Sequence, residues 1–181
     1  IDSQNKLLMG LRYDYNQTHG SILSPRLNYK WSSKDQQHIL RMSLGNGYRV
    51  ANIFTEDHAA LTGARTVEFI GEISPETSWN ANLNFIKRMY TKNNNYLGID
   101  ASVFYTYFNN QIIADYDTDP NKIIYKNLSE YSVSQGVSVN LDAVINGNIK
   151  TLIGFTALDV FFMENGEKMT PVLTEKFSAV W

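Results

Sequence analysis

The sequence runs Met9-Gly10-Leu11-Arg12-Tyr13-Asp14-Tyr15, a stretch in which hydrophobic and polar side chains alternate. Successive side chains of a β-strand point to opposite faces, so this pattern predicts a strand with one apolar and one polar face. The same alternation returns in Leu27 to Trp31, Leu40 to Leu44, Trp79 to Phe85, Leu97 to Tyr107 and Val137 to Ala143. In the segment from Leu97 to Tyr107, Phe104 is the one bulky residue on the polar side.

Two weaker segments, about 149–161 and 171–181, raise the expected total to about eight strands, each near the 9 to 11 residues that a tilted strand needs to cross a bilayer. A soluble β-sandwich also alternates, but its strands average about 5 to 6 residues. The longer segments, with Gly, Ser, Asn, Asp and Arg on the polar side, favour a barrel with lipid outside and water inside. The sequence therefore predicts an all-β, antiparallel, up-and-down transmembrane β-barrel segment.

The links between these segments give independent evidence. They fall at about residues 17–20, 32–37, 46–77, 90–96, 109–131, 146–148 and 162–170. The second, fourth and sixth links are short and polar. The sixth contains Asn146-Gly147, a pair favoured in tight hairpins. Three of the other four are long. Outer-membrane barrels have short periplasmic turns and long extracellular loops, so we expect the three long links outside the cell.

Composition excludes several classes of protein. The chain has 181 residues with 16 Lys+Arg against 18 Asp+Glu, a balance that excludes a polybasic nucleic-acid binder. No window approaches the roughly 18 consecutive apolar residues of a membrane-spanning helix. The absence of Cys from the sequence excludes disulfides, thiolate metal sites and cysteine nucleophiles.

Several short motifs resemble those of one family. Gly10-Leu11-Arg12-Tyr13-Asp14-Tyr15 followed by Ser24-Pro25-Arg26-Leu27-Asn28-Tyr29 resembles mid-barrel strands of TonB-dependent outer-membrane receptors. Further matches, in the family's order, are Arg41-Met42-Ser43-Leu44-Gly45-Asn46-Gly47-Tyr48-Arg49, Ser74-Pro75-Glu76-Thr77-Ser78-Trp79-Asn80, Phe104-Tyr105, Asn110-Gln111-Ile112-Ile113 and Tyr125-Lys126-Asn127. The stretch from Tyr48 to Arg65 looks most like receptors from Bacteroides-type bacteria. Two positions depart from the family, which often has Glu where Asn82 stands and Gly where Asn84 stands.

This resemblance implies a function and a domain organisation. Such receptors close about 22 strands around a plug, so residues 1–181 are expected to be part of the β-barrel domain, from its C-terminal half, with the plug and the remaining strands absent. The resemblance implies TonB-dependent uptake of a scarce solute (an iron–siderophore, haem, cobalamin or an oligosaccharide) across the cell outer membrane. The implied partners are outer-membrane lipid, TonB through the missing plug, the small-molecule ligand and a surface lipoprotein, with no nucleic acid.

Two other architectures compete with a receptor segment. One is a complete small eight-stranded outer-membrane barrel, and the other is a soluble extracellular β-sandwich that binds a ligand. A small barrel must fill its interior with side chains, whereas the polar side here is mostly Gly, Ser, Asn and Asp. This composition favours a wide lumen.

Aromatic and charged residues in the long links are the predicted ligand contacts, because such side chains bind sugars, siderophores and corrinoids. The candidates are Tyr48, Arg49, Phe54, Glu56, Asp57, His58, Arg65, Tyr116, Phe161 and Phe162. Arginines on or beside the polar face are expected to pair with Asp14 and Asp100 or to steer anionic ligands. These arginines are Arg12, Arg26, Arg41, Arg49 and Arg88.

Other reactive groups give weaker signals. Glu56-Asp57-His58 has metal-ligand types, but adjacent side chains point apart, so no metal site is predicted there. Asp115, Asp117 and Asp119 have the alternate spacing of calcium loops without the required Gly and Glu, which is compatible only with weakly bound calcium. No other cofactor is predicted. His19 and His38 have no Ser or acidic partner at a recognisable spacing, so an enzyme is the least favoured function.

Overall fold

The computed structural model describes residues 2–50, 65–91, 95–116, 118–171 and 175–180. These residues form strands without any helix. The strands are β1 (Asn5–Asn16), β2 (Gly20–Ser32), β3 (His38–Arg49), β4 (Thr66–Phe69), β5 (Glu76–Thr91), β6 (Asn95–Asn109), β7 (Ile112–Asp115), β8 (Lys122–Asn127), β9 (Tyr131–Ile145), β10 (Ile149–Glu164), β11 (Glu167–Met169) and β12 (Phe177–Val180). Over the described ranges, no helical segment is long and apolar enough to span a membrane.

The long strands form one antiparallel sheet in the order β1-β2-β3-β5-β6-β9-β10. Each is 12 to 16 residues long. Each strand pairs with the next long strand along the chain, so the predicted up-and-down order is confirmed. Two of the connections between them are long, 50–75 and 110–130, and both lie at the same end of the sheet, here called the long-loop end.

The register aligns side chains of one kind across the whole sheet. One transverse row consists of Lys6, Lys30, Arg41, Asn84, Ser102, Ser138, Thr156 and Ser178. The next row consists of Leu7, Tyr29, Met42, Leu83, Val103, Val137, Ala157 and Phe177. Directly paired residues share a face and successive rows alternate, so the sheet has a polar face and an apolar face.

The apolar face is open to its surroundings. Leu11, Leu27, Leu83 and Val103 are 68%, 40%, 43% and 53% exposed. A β-sandwich would bury these side chains against a second sheet. Because the described residues place no second layer over them, the β-sandwich alternative is wrong. The sheet is the wall of a single-layered structure.

The turn after β10 corrects one prediction. The long link expected at 162–170 is wrong, because β10 continues to Glu164 and reverses through Asn165-Gly166 onto β11. Both turn residues have positive φ, 55° and 76°, as a two-residue type I′ hairpin requires. Positive φ also occurs at Asn146 and Gly147, 51° and 71°, in the three-residue turn between Ile145 and Ile149, where the predicted tight hairpin is confirmed.

In the described residues, the expected eighth strand, about 171–181, corresponds to β12 (Phe177–Val180), and a separate short strand, β11, precedes it. Phe162 of β10 pairs with Met169 of β11, whereas Ala157 of β10 pairs with Phe177 of β12. Between these two pairs β10 advances by five residues and the opposite side by eight, so β11 and β12 pair with β10 as two separate ladders. Among the described residues, β1 pairs only with β2, so the sheet is open rather than closed into a small barrel.

Phe104, the bulky residue on the polar face, packs over a glycine. It pairs directly with Gly136 of β9. A Cβ built on Gly136 would overlap the Phe104 ring on one side and the backbone oxygen of Ala157 on the other. The glycine therefore provides the space in which the Phe104 ring lies.

Gly136→Ala is expected to destabilise the folded receptor by about 1–3 kcal/mol, because the added methyl overlaps a backbone atom that cannot rotate away. Gly10→Ala is the matched control, since a Cβ there meets only Arg26 Cβ at 3.9 Å. Urea titration of each variant in detergent micelles measures the difference. Equal unfolding midpoints for the two variants would contradict this account of Gly136.

Candidate functional site

The two long connections form a second, smaller sheet at the long-loop end. Strand β8 lies between β4, with which it pairs in parallel, and β7, with which it pairs antiparallel. Val67 of β4 is opposite Ile123 of β8, and Ala114 of β7 is opposite Tyr125. The two connections are thus joined into one unit, here called the loop sheet (β4, β7 and β8).

The loop sheet has a small apolar core of its own. Ile123 and Tyr125 are 0% and 4% exposed, and Val67, Ile112 and Ala114 pack against them. Burial of an aliphatic side chain of this size contributes about 1.5–3 kcal/mol. This core stabilises the loop sheet as a folded unit instead of a pair of solvated loops.

A carboxylate attaches the loop sheet to the main sheet. Glu76, the first residue of β5, is 7% exposed. Its Oε2 lies 2.7 Å from Arg49 Nε at the end of β3, and its Oε1 accepts a hydrogen bond of 2.8 Å from the Ile112 amide of β7. One side chain therefore connects two wall strands to the loop sheet.

Asn127 makes a second attachment. Its amide nitrogen donates to the carbonyl oxygens of Ser74 (3.0 Å) and Asn110 (2.6 Å), and its oxygen accepts from the Ser74 amide (2.7 Å). The Leu128 amide donates to Gln111 oxygen nearby, at 2.7 Å. Asn127 thus ties together the ends of both long connections.

Ion pairs connect the edges of the loop sheet. Lys126 Nζ lies 2.5 Å from Glu164 Oε1 at the top of β10, with both side chains half-buried. Lys122 Nζ lies 2.8 Å from Glu68 Oε2 between β8 and β4. The hydrogen bond and charge of Glu68 raise the pKa of Lys122, so this exposed lysine is charged at physiological pH.

Some predicted ligand contacts meet at the loop sheet. Arg65 precedes β4 and donates from Nη1 to the backbone oxygen of Tyr116, at 3.1 Å. The Tyr116 side chain is 42% exposed. Tyr48 and Arg49 end β3 below the loop sheet, where Arg49 contacts Glu76. Arg49, Arg65 and Tyr116 therefore belong to one end of the structure, and their role as ligand contacts stays a prediction.

Phe161 and Phe162 lie in β10 and not in a loop. Phe161 pairs with Val133, and the Lys168 ammonium lies 4.0 Å from the centre of its ring. Phe162 pairs with Ser132, which puts it on the opposite face, the polar one. Only Phe162 shares a face with the polar row, so the two adjacent rings cannot meet the same ligand. Phe54, Glu56, Asp57 and His58 lie outside the described residues.

The acidic loop uses its carboxylates for turns. Asp115 accepts from the amide and hydroxyl of Thr118, at 3.0 and 2.6 Å, and Asp119 accepts from the Asn121 amide at 2.8 Å. Asp117 lies outside the described residues. In the part of the chain that the structure describes, no three His, Asp or Glu side chains are grouped to hold a metal ion. Weak calcium binding at these aspartates stays a prediction.

The polar face carries hydrogen-bonded networks, as expected from its arginines. Arg12 Nε lies 2.7 Å from Asp14 Oδ2, which confirms that predicted pair. Arg41 does not contact Asp100 directly. It donates to Asn84 Oδ1 at 3.1 Å, and the Asn84 amide donates to Asp100 at 2.5 Å and to Ser102 at 3.0 Å. Asn84 therefore connects the two charged groups that were expected to pair.

Sequence reasoning missed Glu76 and Asn127 as site residues. Both lie inside motifs that carried the family resemblance, Pro75-Glu76 and Tyr125-Lys126-Asn127. Their signal was a polar side chain at the boundary between a long link and a strand. Such positions are where buried polar groups hold loops in place.

A single antiparallel layer of long strands, apolar on one face and polar on the other, defines part of the wall of a transmembrane β-barrel. The family described as "TonB dependent receptor-like, beta-barrel" matches residues 1–171. The chain belongs to this family of outer-membrane receptor barrels. Comparison with curated proteins finds no match. The narrower resemblance to Bacteroides-type receptors stays a prediction.

Solved structures agree on the fold. The chain is similar to the siderophore receptor PirA from Pseudomonas aeruginosa, with a TM-score of 0.68 and 17% identity over 88% of this chain and 29% of that one. It is also similar to a double mutant of the Serratia marcescens hemophore receptor HasR in complex with its hemophore HasA and heme. That match has a TM-score of 0.61 and 14% identity over 86% of this chain and 29% of that one. The chain thus spans less than a third of the length of these receptors.

Proposed function

We propose that this chain forms wall, lumen surface and ligand-facing loops of a TonB-dependent receptor that takes up a scarce solute across the outer membrane. The observation that carries the proposal is the open apolar face of a one-layered sheet in a chain of this receptor family. The apolar face contacts lipid, and the polar face lines the lumen. Residues 1–181 are part of its β-barrel domain, with the plug and the other strands outside this sequence.

The long-loop end is proposed to face the outside of the cell and to bind the solute. In support, Arg65 and Tyr116 lie together on a folded loop sheet, which holds side chains in fixed positions better than separate loops do. A prearranged site avoids part of the ordering cost of binding. Candidate solutes are an iron–siderophore, haem, cobalamin or an oligosaccharide, and a surface lipoprotein is a candidate accessory partner. The proposed activity is transport and not catalysis.

The full-length receptor, expressed in a Gram-negative host, tests this proposal with a panel of radiolabelled ferric siderophores, haem, cobalamin and oligosaccharides. We expect accumulation of one solute class, and we expect deletion of TonB to abolish it. Accumulation that is unchanged without TonB, or accumulation of none of these solutes, would contradict the proposed function.

Arg65→Ala combined with Tyr116→Ala is expected to raise the half-saturating solute concentration about tenfold or more, because exposed Arg and Tyr side chains dominate many binding sites. Lys34→Ala combined with Gln36→Ala, in the turn at the opposite end of the sheet, is the matched control. Uptake at several solute concentrations separates a weaker affinity from a smaller number of receptors. Equal uptake curves for the two double variants would show that Arg65 and Tyr116 do not contribute to solute binding.

A further inference from the structure

Three cations lie side by side on the polar face of β1, β2 and β3. Lys6 pairs with Lys30, and Lys30 pairs with Arg41. Paired residues on neighbouring strands share a face and lie about 5 Å apart. These residues, here called the cation row, therefore present adjacent positive charges on the face that lines the lumen.

Like charges in directly opposite positions destabilise a sheet unless an anion compensates them. The acidic groups of the described polar face pair with other residues or lie away from the row. Glu164 pairs with Lys126, and Asp142 lies on β9, opposite Gly98 of β6. Asp14 pairs with Arg12, and Glu76 pairs with Arg49. Asp100 is linked to the cation row indirectly: it accepts a hydrogen bond from the Asn84 amide, and the oxygen of Asn84 accepts one from Arg41. Lys6 and Lys30 have no carboxylate within salt-bridge distance among the described residues.

The surface above the cation row is concave and is lined by neutral hydrogen-bonding groups and by apolar residues, among them Leu8 and Met42. A depression of about 430 Å³ contains all three cations together with Asn28, Ser43 and Asn82. Ligand pockets commonly measure about 300–1,000 Å³, so this one has the size for a small solute. Arg26 lies four residues from Lys30 along β2, on the same face and toward the long-loop end.

From this arrangement we infer that the cation row is a lumen binding site for an anionic solute that carries phosphate or clustered carboxylate oxygens. Ammonium and guanidinium groups form strong, short hydrogen bonds to such oxygens. A water-filled passage with low-dielectric walls concentrates counter-ions along a charged surface. The small volume of the depression and the neutral amides of Asn28 and Asn82 beside the cations favour a small solute over an acidic protein segment as the bound group. This inference rests on the proposed function and narrows its solute class to anions.

Pyrophosphate is a suitable probe, and its binding to the purified full-length receptor in detergent is measured by isothermal titration calorimetry. The test variant is Lys6→Gln/Lys30→Gln/Arg41→Gln. The control variant, Lys34→Gln/Lys87→Gln/Lys150→Gln, removes the same charge outside the row. We expect the test variant to lose about tenfold or more in affinity, since the loss of even one charged hydrogen bond weakens binding by about ten- to hundredfold, while the control keeps its affinity.

Two results would overturn the inference. One is equal loss of pyrophosphate binding in both variants, which would show general attraction by net charge. The other is no binding to the unmodified receptor together with a lower melting temperature of the test variant alone, which would show that protein carboxylates cover the row. The titration needs no energy coupling. A failure of TonB-dependent uptake in cells is therefore distinguishable from a failure of this site.

Discussion

Leu83→Arg is expected to lower the fraction of the receptor that folds stably in a bilayer. Leu83 lies in the middle of β5, between Met42 and Val103 on the apolar face, and is 43% exposed. Arginine on the lipid face near the bilayer midplane costs about 2–4 kcal/mol. The free energy of unfolding of a folded protein is only about 5–15 kcal/mol, so one such change removes a large part of it. Refolding into phospholipid vesicles, followed by heat-dependent mobility on gels, measures the folded fraction.

The matched control is Asn82→Arg at the neighbouring position of the same strand. Asn82 pairs with Ser43 and Phe104 on the polar face, where a charge meets water in the lumen and costs little. We expect Asn82→Arg to refold close to the level of the unmodified receptor. If Asn82→Arg fails to refold while Leu83→Arg folds normally, the two faces of the sheet have been assigned the wrong way round.

The wall strands could be predicted from the sequence because their signal is local. Each strand meets lipid on one side and water on the other, so the period of two is present within each segment without knowledge of its partners. Register then follows from the same pattern, since a slip of one residue would put Leu83 on the polar face. The hairpin at Asn146-Gly147 was predictable for a similar reason, because its residue types favour positive φ.

The hairpin at Asn165-Gly166 carried the same local signal, yet the sequence analysis predicted a long link there. Phe161 and Phe162 are adjacent apolar residues, which interrupts the alternation and obscured the continuing strand. In the structure Phe161 faces outward beneath the Lys168 ammonium and Phe162 faces the polar side. Near this end of β10 both faces of the sheet accommodate an aromatic ring. The alternation of apolar and polar residues therefore stops before the strand ends.

The loop sheet was beyond prediction from local pattern. Its strands have 4 to 6 residues, too few for a period to be recognised. The pairing of Thr66 with Lys122 joins distant parts of the chain in parallel. Such pairing depends on tertiary contacts, here the burial of Ile123 and the position of Glu76.

Glu76→Ala is expected to loosen the loop sheet without unfolding the wall. The change removes the acceptor of the Ile112 amide and the partner of Arg49. A buried donor left without its partner costs about 1–3 kcal/mol. The Arg49 side chain is 56% exposed, so water solvates its charge and the cost falls mainly on the Ile112 amide.

Hydrogen–deuterium exchange in the full-length receptor measures this effect. Amides at 112–115 and 122–127 should exchange roughly five- to hundredfold faster in Glu76→Ala, which corresponds to that loss of free energy. Amides in the middle of β9 should keep their rates, because the wall strands are paired on both sides. Glu76→Gln should give an intermediate rate, since its amide oxygen can still accept from Ile112.

Glu68→Ala is the matched control within the same loop sheet. Its carboxylate pairs with Lys122, but both side chains are exposed, at 48% and 42%. Exposed ion pairs contribute about 0–1 kcal/mol, so exchange should change by a few-fold at most. Equal acceleration in Glu68→Ala and Glu76→Ala would show that the loop sheet responds to any lost charge, and that the buried carboxylate has no special role in attaching it to the main sheet.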